Sequence, residues 1–217
     1  EGGLGYTLRL SQGKVIHLTV NEAQQGLQVE TSEGLSAAEQ TELAGTITWM
    51  LGLELDFSEF YALAVKEPKL VKMVERRAGR VLRSASLFED VIRTLLTTNT
   101  LWQHTLKMCR ELVRGYGDPT EQAGIPDRAS APAVWQAFPT PQRLAQVDEA
   151  ELREQVRMGY RAPYIPCLAH DITSGKIDLE AYKTSNLPTV ELRKELLRIK
   201  GVGGYAAANL LMLLGRY

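Results

Sequence analysis

Cysteine is scarce in this 217-residue chain: Cys109 and Cys167 stand far apart, each inside a helical pattern. Two isolated thiols exclude a disulfide framework, no Cys/His spacing suits a zinc or iron–sulfur centre, and the usage fits a reducing compartment. Long apolar runs are also missing, so no segment is expected to span a membrane, and the opening Glu1-Gly2-Gly3 carries no signal-peptide pattern. Neither charge sign is in excess, with 25 basic and 26 acidic side chains. Internal repeats and low-complexity segments are absent as well. What remains is an ordinary globular composition, 44% hydrophobic, on a chain long enough to bury a sizeable core.

Glycine, by contrast, is concentrated in one informative place, the run Leu197-Arg198-Ile199-Lys200-Gly201-Val202-Gly203-Gly204-Tyr205-Ala206-Ala207. Upstream, Val190, Leu192, Leu196 and Leu197 recur at helical intervals, and downstream Ala206, Ala207, Leu210, Leu211 and Leu214 do the same. The run therefore predicts two helices joined by a tight hairpin. Its glycines permit positive φ and a close approach of backbone, so amides opening the second helix can face a phosphate. Taken alone, the turn is equally well an ordinary connection between two helices. A dinucleotide site would need a strand before the glycines, and a P-loop would need a Gly-Lys-Ser/Thr ending; neither is present.

The pattern along the chain predicts an α+β fold, a small N-terminal antiparallel sheet followed by a mainly helical body. Tyr6 to Leu10, Lys14 to Val20 and Leu27 to Thr31 alternate as short strands, with turns at Ser11-Gln12-Gly13 and Gln24-Gln25-Gly26. Ser36 and Glu39 form a capping box opening a helix toward Leu53, with Leu43, Ile47, Met50 and Leu51 as its buried stripe. Further helices are expected near 57–64, 68–78, 87–97, 101–115, 141–146, 149–157, 163–174, 189–198 and 204–214. Asp118 to Pro132, rich in Pro, Gly, Ala and Asp, reads as a surface connection. The expected domains are 1–65, the sheet with one or two helices, and 66–217, the helical part with the hairpin.

Four stretches, in order, resemble the helix-hairpin-helix DNA glycosylase superfamily, in particular its 3-methyladenine and 8-oxoguanine branch. Gly79-Arg80-Val81-Leu82-Arg83-Ser84 with Leu87-Phe88-Glu89-Asp90-Val91-Ile92 resembles the entry to the helical region, leading into Thr97-Thr98-Asn99-Thr100-Leu101-Trp102. Phe138-Pro139-Thr140-Pro141 with Leu144-Ala145 resembles the family's Phe-Pro-Thr/Ser stretch, Met158-Gly159-Tyr160-Arg161-Ala162-Pro163-Tyr164-Ile165 its Gly-Tyr-Arg-Ala stretch, and the glycine run its hairpin. The matches span about residues 75 to 217.

The resemblance implies double-stranded DNA carrying a damaged base as partner, and a site with several parts. Lys200, Gly201, Val202, Gly203 and Gly204 would grip the DNA backbone. The main-chain carbonyls of Leu197, Ile199 and Val202 would hold a structural monovalent cation, sodium or potassium; no other cofactor is implied. Asn99 would enter the space left by an extruded base, Tyr160 would wedge beside it, and Arg161 would contact a phosphate. Trp102 and Tyr205 would line the base pocket. Read from the residues alone, Asn99 is better taken as a helix C-cap and Tyr160 as a partly buried packing residue, while Tyr205 and Trp102 are equally well packing residues.

Departures matter too. Tyr205 stands where bifunctional members carry the Schiff-base lysine, which implies a monofunctional, water-using enzyme. Lys200 stands in place of a proline. His104 stands where the 8-oxoguanine branch has an arginine. The family's catalytic Asp follows the second hairpin helix, so no catalytic residue is visible in this chain and that Asp is expected beyond Tyr217; the apolar Leu210, Leu211 and Leu214, short of partners, favour the same expectation.

Charge is distributed as such a partner requires. Residues 1–65 carry two basic and nine acidic side chains, 66–114 eleven and five, and 191–217 five and two. The positive excess thus lies in the motif-bearing segments. The expected activity is a monofunctional glycosylase of base-excision repair acting on an alkylated purine such as 3-methyladenine. The alternatives are an 8-oxoguanine-type glycosylase or a non-catalytic DNA-binding module. A monomer is expected, cytoplasmic and nucleoid-associated in a bacterium or nuclear in a eukaryote.

Overall fold

The computed structural model describes residues 3–120 and 135–216. Three antiparallel strands, β1 (Leu4–Arg9), β2 (Val15–Ala23) and β3 (Gly26–Thr31), form a sheet in that order. The register pairs Tyr6 with Leu18 and Val20 with Val29. Alternation buries Leu8, Ile16, Leu18 and Val20 on one face. There they meet Leu43 and Ile47 of helix α1 (Ala37–Leu51).

The capping box is present: the Ser36 hydroxyl accepts from the Glu39 amide at 3.3 Å, and the Glu39 carboxylate accepts from the Ser36 amide at 2.7 Å. The helix ends at Gly52 in the left-handed conformation, φ 60°. Leu43, Ile47 and Met50 are buried as the stripe requires, and Leu51 is half-buried.

Helices α2 (Ser58–Ala64), α3 (Val71–Glu75), α4 (Leu87–Thr97) and α5 (Trp102–Tyr116) follow. α3 is shorter than the expected 68–78. It stops before Arg77, whose φ is +48°. α4 is the core helix: nine of its eleven residues are buried. Its first amides are satisfied from two sides, by the Ser86 hydroxyl at Glu89 (3.2 Å) and by the distant Glu180 carboxylate at Leu87 (2.9 Å) and Phe88 (3.3 Å).

Short strands β4 (Asp118–Pro119) and β5 (Gln136–Ala137) pair on either side of the expected Asp118–Pro132 connection, most of which lies outside the described residues. Helices α6 (Pro141–Leu144) and α7 (Glu149–Glu151) come next. The expected helix 149–157 is not α throughout: α7 widens into a π turn over Leu152–Val156 and closes on Arg157 at φ +61°. A 3₁₀ turn over Gly159–Arg161 leads to α8 (Tyr164–Thr173), a second one spans Glu180–Thr184, and α9 (Thr189–Leu197) and α10 (Gly204–Leu213) close the described chain.

α10 packs on α4 and α9. Leu210, Leu211 and Leu214 are 0%, 6% and 8% exposed. The expectation that they lack partners is therefore wrong: α4 and α9 already cover them, and their apolar character says nothing about further chain. Both cysteines are free thiols. Among the described residues, no helix is long and apolar enough to cross a membrane.

Candidate nucleic-acid interface

The hairpin forms where the glycines predict it. α9 ends in a turn in which the Val202 amide donates to the Ile199 carbonyl at 2.9 Å, and α10 begins with Gly203 as its extended N-cap. The three glycines have different reasons to be glycine. Gly201 sits at φ +90°, and a Cβ there would lie 2.4 Å from the Tyr164 ring. Gly203 has φ −94°, and neither it nor Gly204 would meet a close neighbour: nothing within 4 Å at 203, and the Arg193 guanidinium at 3.8 Å at 204. Of the three, Gly201 alone uses the positive φ that glycine permits. At 203 and 204 no internal contact forbids a side chain; what glycine provides there is bare, exposed backbone.

The expected set of gripping amides also shifts. That of Val202 is spent inside the turn, whereas among the described residues those of Gly203, Gly204, Tyr205 and Ala206 have no protein acceptor. The first turn of α10 therefore presents a row of free donors at the positive end of a helix dipole. Lys200 is exposed, and it and Arg193 form no ion pair among the described residues, unlike their neighbours Lys194 and Arg198, which pair with Glu191 and Glu195. Arg193 lies outside the glycine run. Its proximity to Gly204 depends on how α9 crosses α10, which periodicity does not encode.

Asn99 and Tyr160, expected to act at the gap left by an extruded base, come together although they lie far apart in sequence. Asn99 follows α4 in the left-handed conformation, φ +46°. Its Nδ2 donates to the Tyr160 hydroxyl at 3.3 Å, and that hydroxyl lies 3.1 Å from Thr98 Oγ1. These hydrogen bonds, from Thr98 first and Asn99 second, hold the Tyr160 hydroxyl below the ordinary phenol pKa.

Arg161 departs from expectation. It is 6% exposed, its guanidinium donates to the Thr98 carbonyl, to Thr98 Oγ1 at 3.3 Å and to the Met158 carbonyl at 3.4 Å, and it stacks 4.5 Å from the Tyr160 ring centroid. A side chain so buried and so fully engaged is no phosphate contact. It braces the Thr98–Asn99 turn from beneath.

Tyr160 in turn meets Tyr164 edge to face at 6.3 Å, and Tyr164 abuts Gly201. Asn99, Tyr160, Tyr164 and the hairpin thus form one continuous surface around a cavity of about 470 Å³. A second cavity of about 470 Å³ adjoins it, sharing Thr97 and Tyr205. Trp102 and Tyr205, 65% and 63% exposed, stand in its lining, with Tyr6, Met50, Arg83, Asp90, Arg93 and Cys109 around them.

Two of the cavity's charges are neutralised. Arg93 pairs with Glu89 at 2.6 Å, Glu89 also accepts from the Tyr6 hydroxyl at 2.5 Å, and Arg83 pairs with Glu54 and donates to the carbonyls of Leu213 (2.5 Å) and Trp49 (3.1 Å). Asp90 accepts from the Ser84 amide at 3.0 Å through Oδ1, while Oδ2 has no partner. Burial pushes its carboxyl up to about 6 against the lowering effect of Ser84. Burial likewise raises the Cys109 thiol, which stays protonated and inert.

His104 lies exposed on the first turn of α5. The carbonyls of Leu197, Ile199 and Val202 all belong to the hairpin; that of Ile199 keeps one lone pair beyond the Val202 bond, and an all-carbonyl donor set fits a monovalent ion.

No protein-family model and no curated protein sequence matches this chain. Solved structures do. The 3-methyladenine DNA glycosylase from Archaeoglobus fulgidus superposes with a TM-score of 0.77 at 23% identity, over 100% of this chain and 70% of that one. The Clostridium acetobutylicum 8-oxoguanine glycosylase/lyase, in complex with double-stranded DNA containing cytosine opposite 8-oxoguanine, gives 0.71 at 22% identity over 98% of this chain and 70% of that one. A structure of MBOgg1 in complex with a low-affinity DNA ligand gives 0.73 at 22% identity, over 100% and 71%. This chain has the α+β fold of those helix-hairpin-helix DNA glycosylases.

Proposed function

We propose that this chain binds duplex DNA through the hairpin, extrudes a damaged base into the Trp102–Tyr205 cavity, and belongs to a base-excision-repair glycosylase. The observation that carries this reading is the convergence of three separate sequence stretches, 97–102, 158–165 and 197–207, on one surface. Free amides at Gly203 to Ala206, the Asn99–Tyr160 pair and the aromatic cavity lie side by side.

Each part has a physical task. The α10 amides, aided by Lys200 and Arg193, hold a phosphate, fixing the strand without reading sequence. Asn99 and Tyr160, already hydrogen-bonded to each other, fill the gap that extrusion opens, offsetting part of the lost stacking. Trp102 and Tyr205 then offer faces to the extruded base. The carbonyls of Leu197, Ile199 and Val202 would hold a sodium or potassium ion, which supplies positive charge beside the bound phosphate.

The lesion we favour is an alkylated purine such as 3-methyladenine, and the cleavage monofunctional. At position 205 an aromatic ring replaces an amine, so water rather than lysine is the nucleophile. We expect the acid that supports that water to follow the second hairpin helix, as in the family the sequence resembles.

Incubating the intact protein with duplexes bearing single lesions tests the reading. Strand breaks that appear only after alkali, and only with lesion-bearing duplex, are expected. Breaks without alkali would contradict the monofunctional assignment. No breaks, with undiminished duplex binding, would favour a DNA-binding module.

A further inference from the structure

Three charged residues line the Trp102–Tyr205 cavity, and they are not equivalent. Arg83 and Arg93 each carry a carboxylate partner, Glu54 and Glu89. Asp90, 5% exposed, has no cation partner among the described residues, and its Oδ2 has no hydrogen-bond donor at all. A buried carboxylate left in this state is costly unless something brings a compensating charge.

We propose that Asp90 is the counter-charge by which this cavity selects a cationic base, an N-alkylated purinium ring, over a neutral base of the same shape. The inference rests on the extrusion reading above and adds to it the residue that reads charge.

Asp90 need not touch the base to act on it. A carboxylate shut off from bulk water acts over several ångströms through a poorly screening interior. A base entering between Trp102 and Tyr205 joins Asp90 in that cavity. A purinium there cancels the one uncompensated charge, and the two aromatic faces add cation–π attraction. A neutral purine gains the stacking but leaves the carboxylate as costly as before. The upward push on the Asp90 carboxyl, to about 6, is the mark of that cost in the absence of a cation.

The α4 backbone holds the group in place: Oδ1 is fixed by the Ser84 amide, and α4 is buried on almost every side. Asp90 is a specificity residue in this account, and no bond-breaking step is assigned to it.

The test uses two duplexes, one with 7-methylguanine, whose imidazole ring carries a fixed positive charge, and one with its neutral isostere 7-methyl-7-deazaguanine. Both carry a 2′-fluoroarabino sugar that blocks cleavage, and 2-aminopurine lies next to the lesion. Wild type is expected to bind the cationic duplex about tenfold or more tightly than the neutral one at pH 6.5, where the extruded 7-methylguanine keeps its N1 proton and its net positive charge. Asp90→Asn keeps an acceptor for Ser84, and should bring that ratio close to one with affinity for the neutral duplex preserved. Asp90→Ser should do the same, and melting curves show that both variants fold.

A wild-type ratio near one, or an unchanged ratio in folded variants while 2-aminopurine still brightens, would overturn the Asp90 assignment alone. No brightening with either duplex would overturn the extrusion reading, and this inference with it.

Discussion

Asn99 and Tyr160 meet through a 3.3 Å hydrogen bond, and the same tyrosine hydroxyl lies 3.1 Å from Thr98 Oγ1. The two residues reach this point from separate turns, one after α4 and one before α8, and Arg161 braces both. If the pair enters DNA as proposed, its assembly beforehand means that less conformational freedom is lost on binding than by two free side chains.

Tyr160→Phe removes the shared hydroxyl and keeps the ring. Affinity for lesion duplex should fall by roughly three- to tenfold, the worth of one or two modest hydrogen bonds. Affinity for undamaged duplex, measured by fluorescence anisotropy, should stay the same. Equal losses on both duplexes would mean that the pair acts in general binding and not in filling the gap.

The hairpin glycines should separate folding from binding. Gly201→Ala introduces strain at φ +90° and a clash with Tyr164, and should destabilise the fold by roughly 1–3 kcal/mol in thermal melts. Gly203→Val places a side chain in open space at φ −94°, and should leave the melting temperature nearly unchanged while weakening duplex binding. Binding by Gly203→Val equal to wild type would remove the hairpin from the interface.

Positive charges divide in the same way. Lys200→Ala and Arg193→Ala should each reduce the slope of log affinity against log salt by about 0.9, the effect of one phosphate contact, without affecting stability. Arg161→Met should leave that slope alone and lower stability instead, because its guanidinium is spent on Thr98 and Met158. A slope change for Arg161→Met would return it to the phosphate-binding set.

Asp90 gives a pH signature in the absence of DNA. Its folded carboxyl, at about 6, lies above the ordinary 3.8, so between those values the native state binds more protons than the unfolded state. Stability contributed at this site is therefore greatest below about pH 4 and declines as pH rises through about 6, by roughly 2–3 kcal/mol in all. The groups acting on it are Ser84 before α4 and Glu89 and Arg93 on α4; Arg83 and Cys109 share the cavity lining with it. Glu89 reinforces the rise and Arg93 opposes it. Asp90→Asn should abolish this component, seen as a difference between wild-type and variant melts that widens from pH 4 to pH 7. A difference independent of pH would contradict it.

Much of the fold is legible in the chain because its signals are local. The Ser36–Glu39 box, the α1 stripe and the glycine run lie within single elements, and α4 begins and ends where its apolar pattern does. The sheet is likewise visible from alternation and two turn signals. What periodicity misses is set by backbone strain or by distant partners: the π turn at Leu152–Val156, the left-handed Arg77, Asn99 and Arg157, and Glu180 capping α4 from across the fold.

At the site, the glycines, Asn99, Tyr160, Trp102 and Tyr205 are found through motifs. Arg161 is legible as part of a motif, but its role is not, because burial is a property of the assembled turn. Asp90 stands inside a quoted motif, yet its open Oδ2 exists only after α4, α5 and α10 enclose the cavity.

The most direct test of the central claim is a structure of the protein with a duplex containing a cleavage-resistant alkylpurine. The base is expected between Trp102 and Tyr205, Asn99 and Tyr160 in the vacated gap, and a phosphate on the amides of Gly203 to Ala206. A lesion still stacked in the duplex, or DNA lying on a face away from the hairpin, would contradict it.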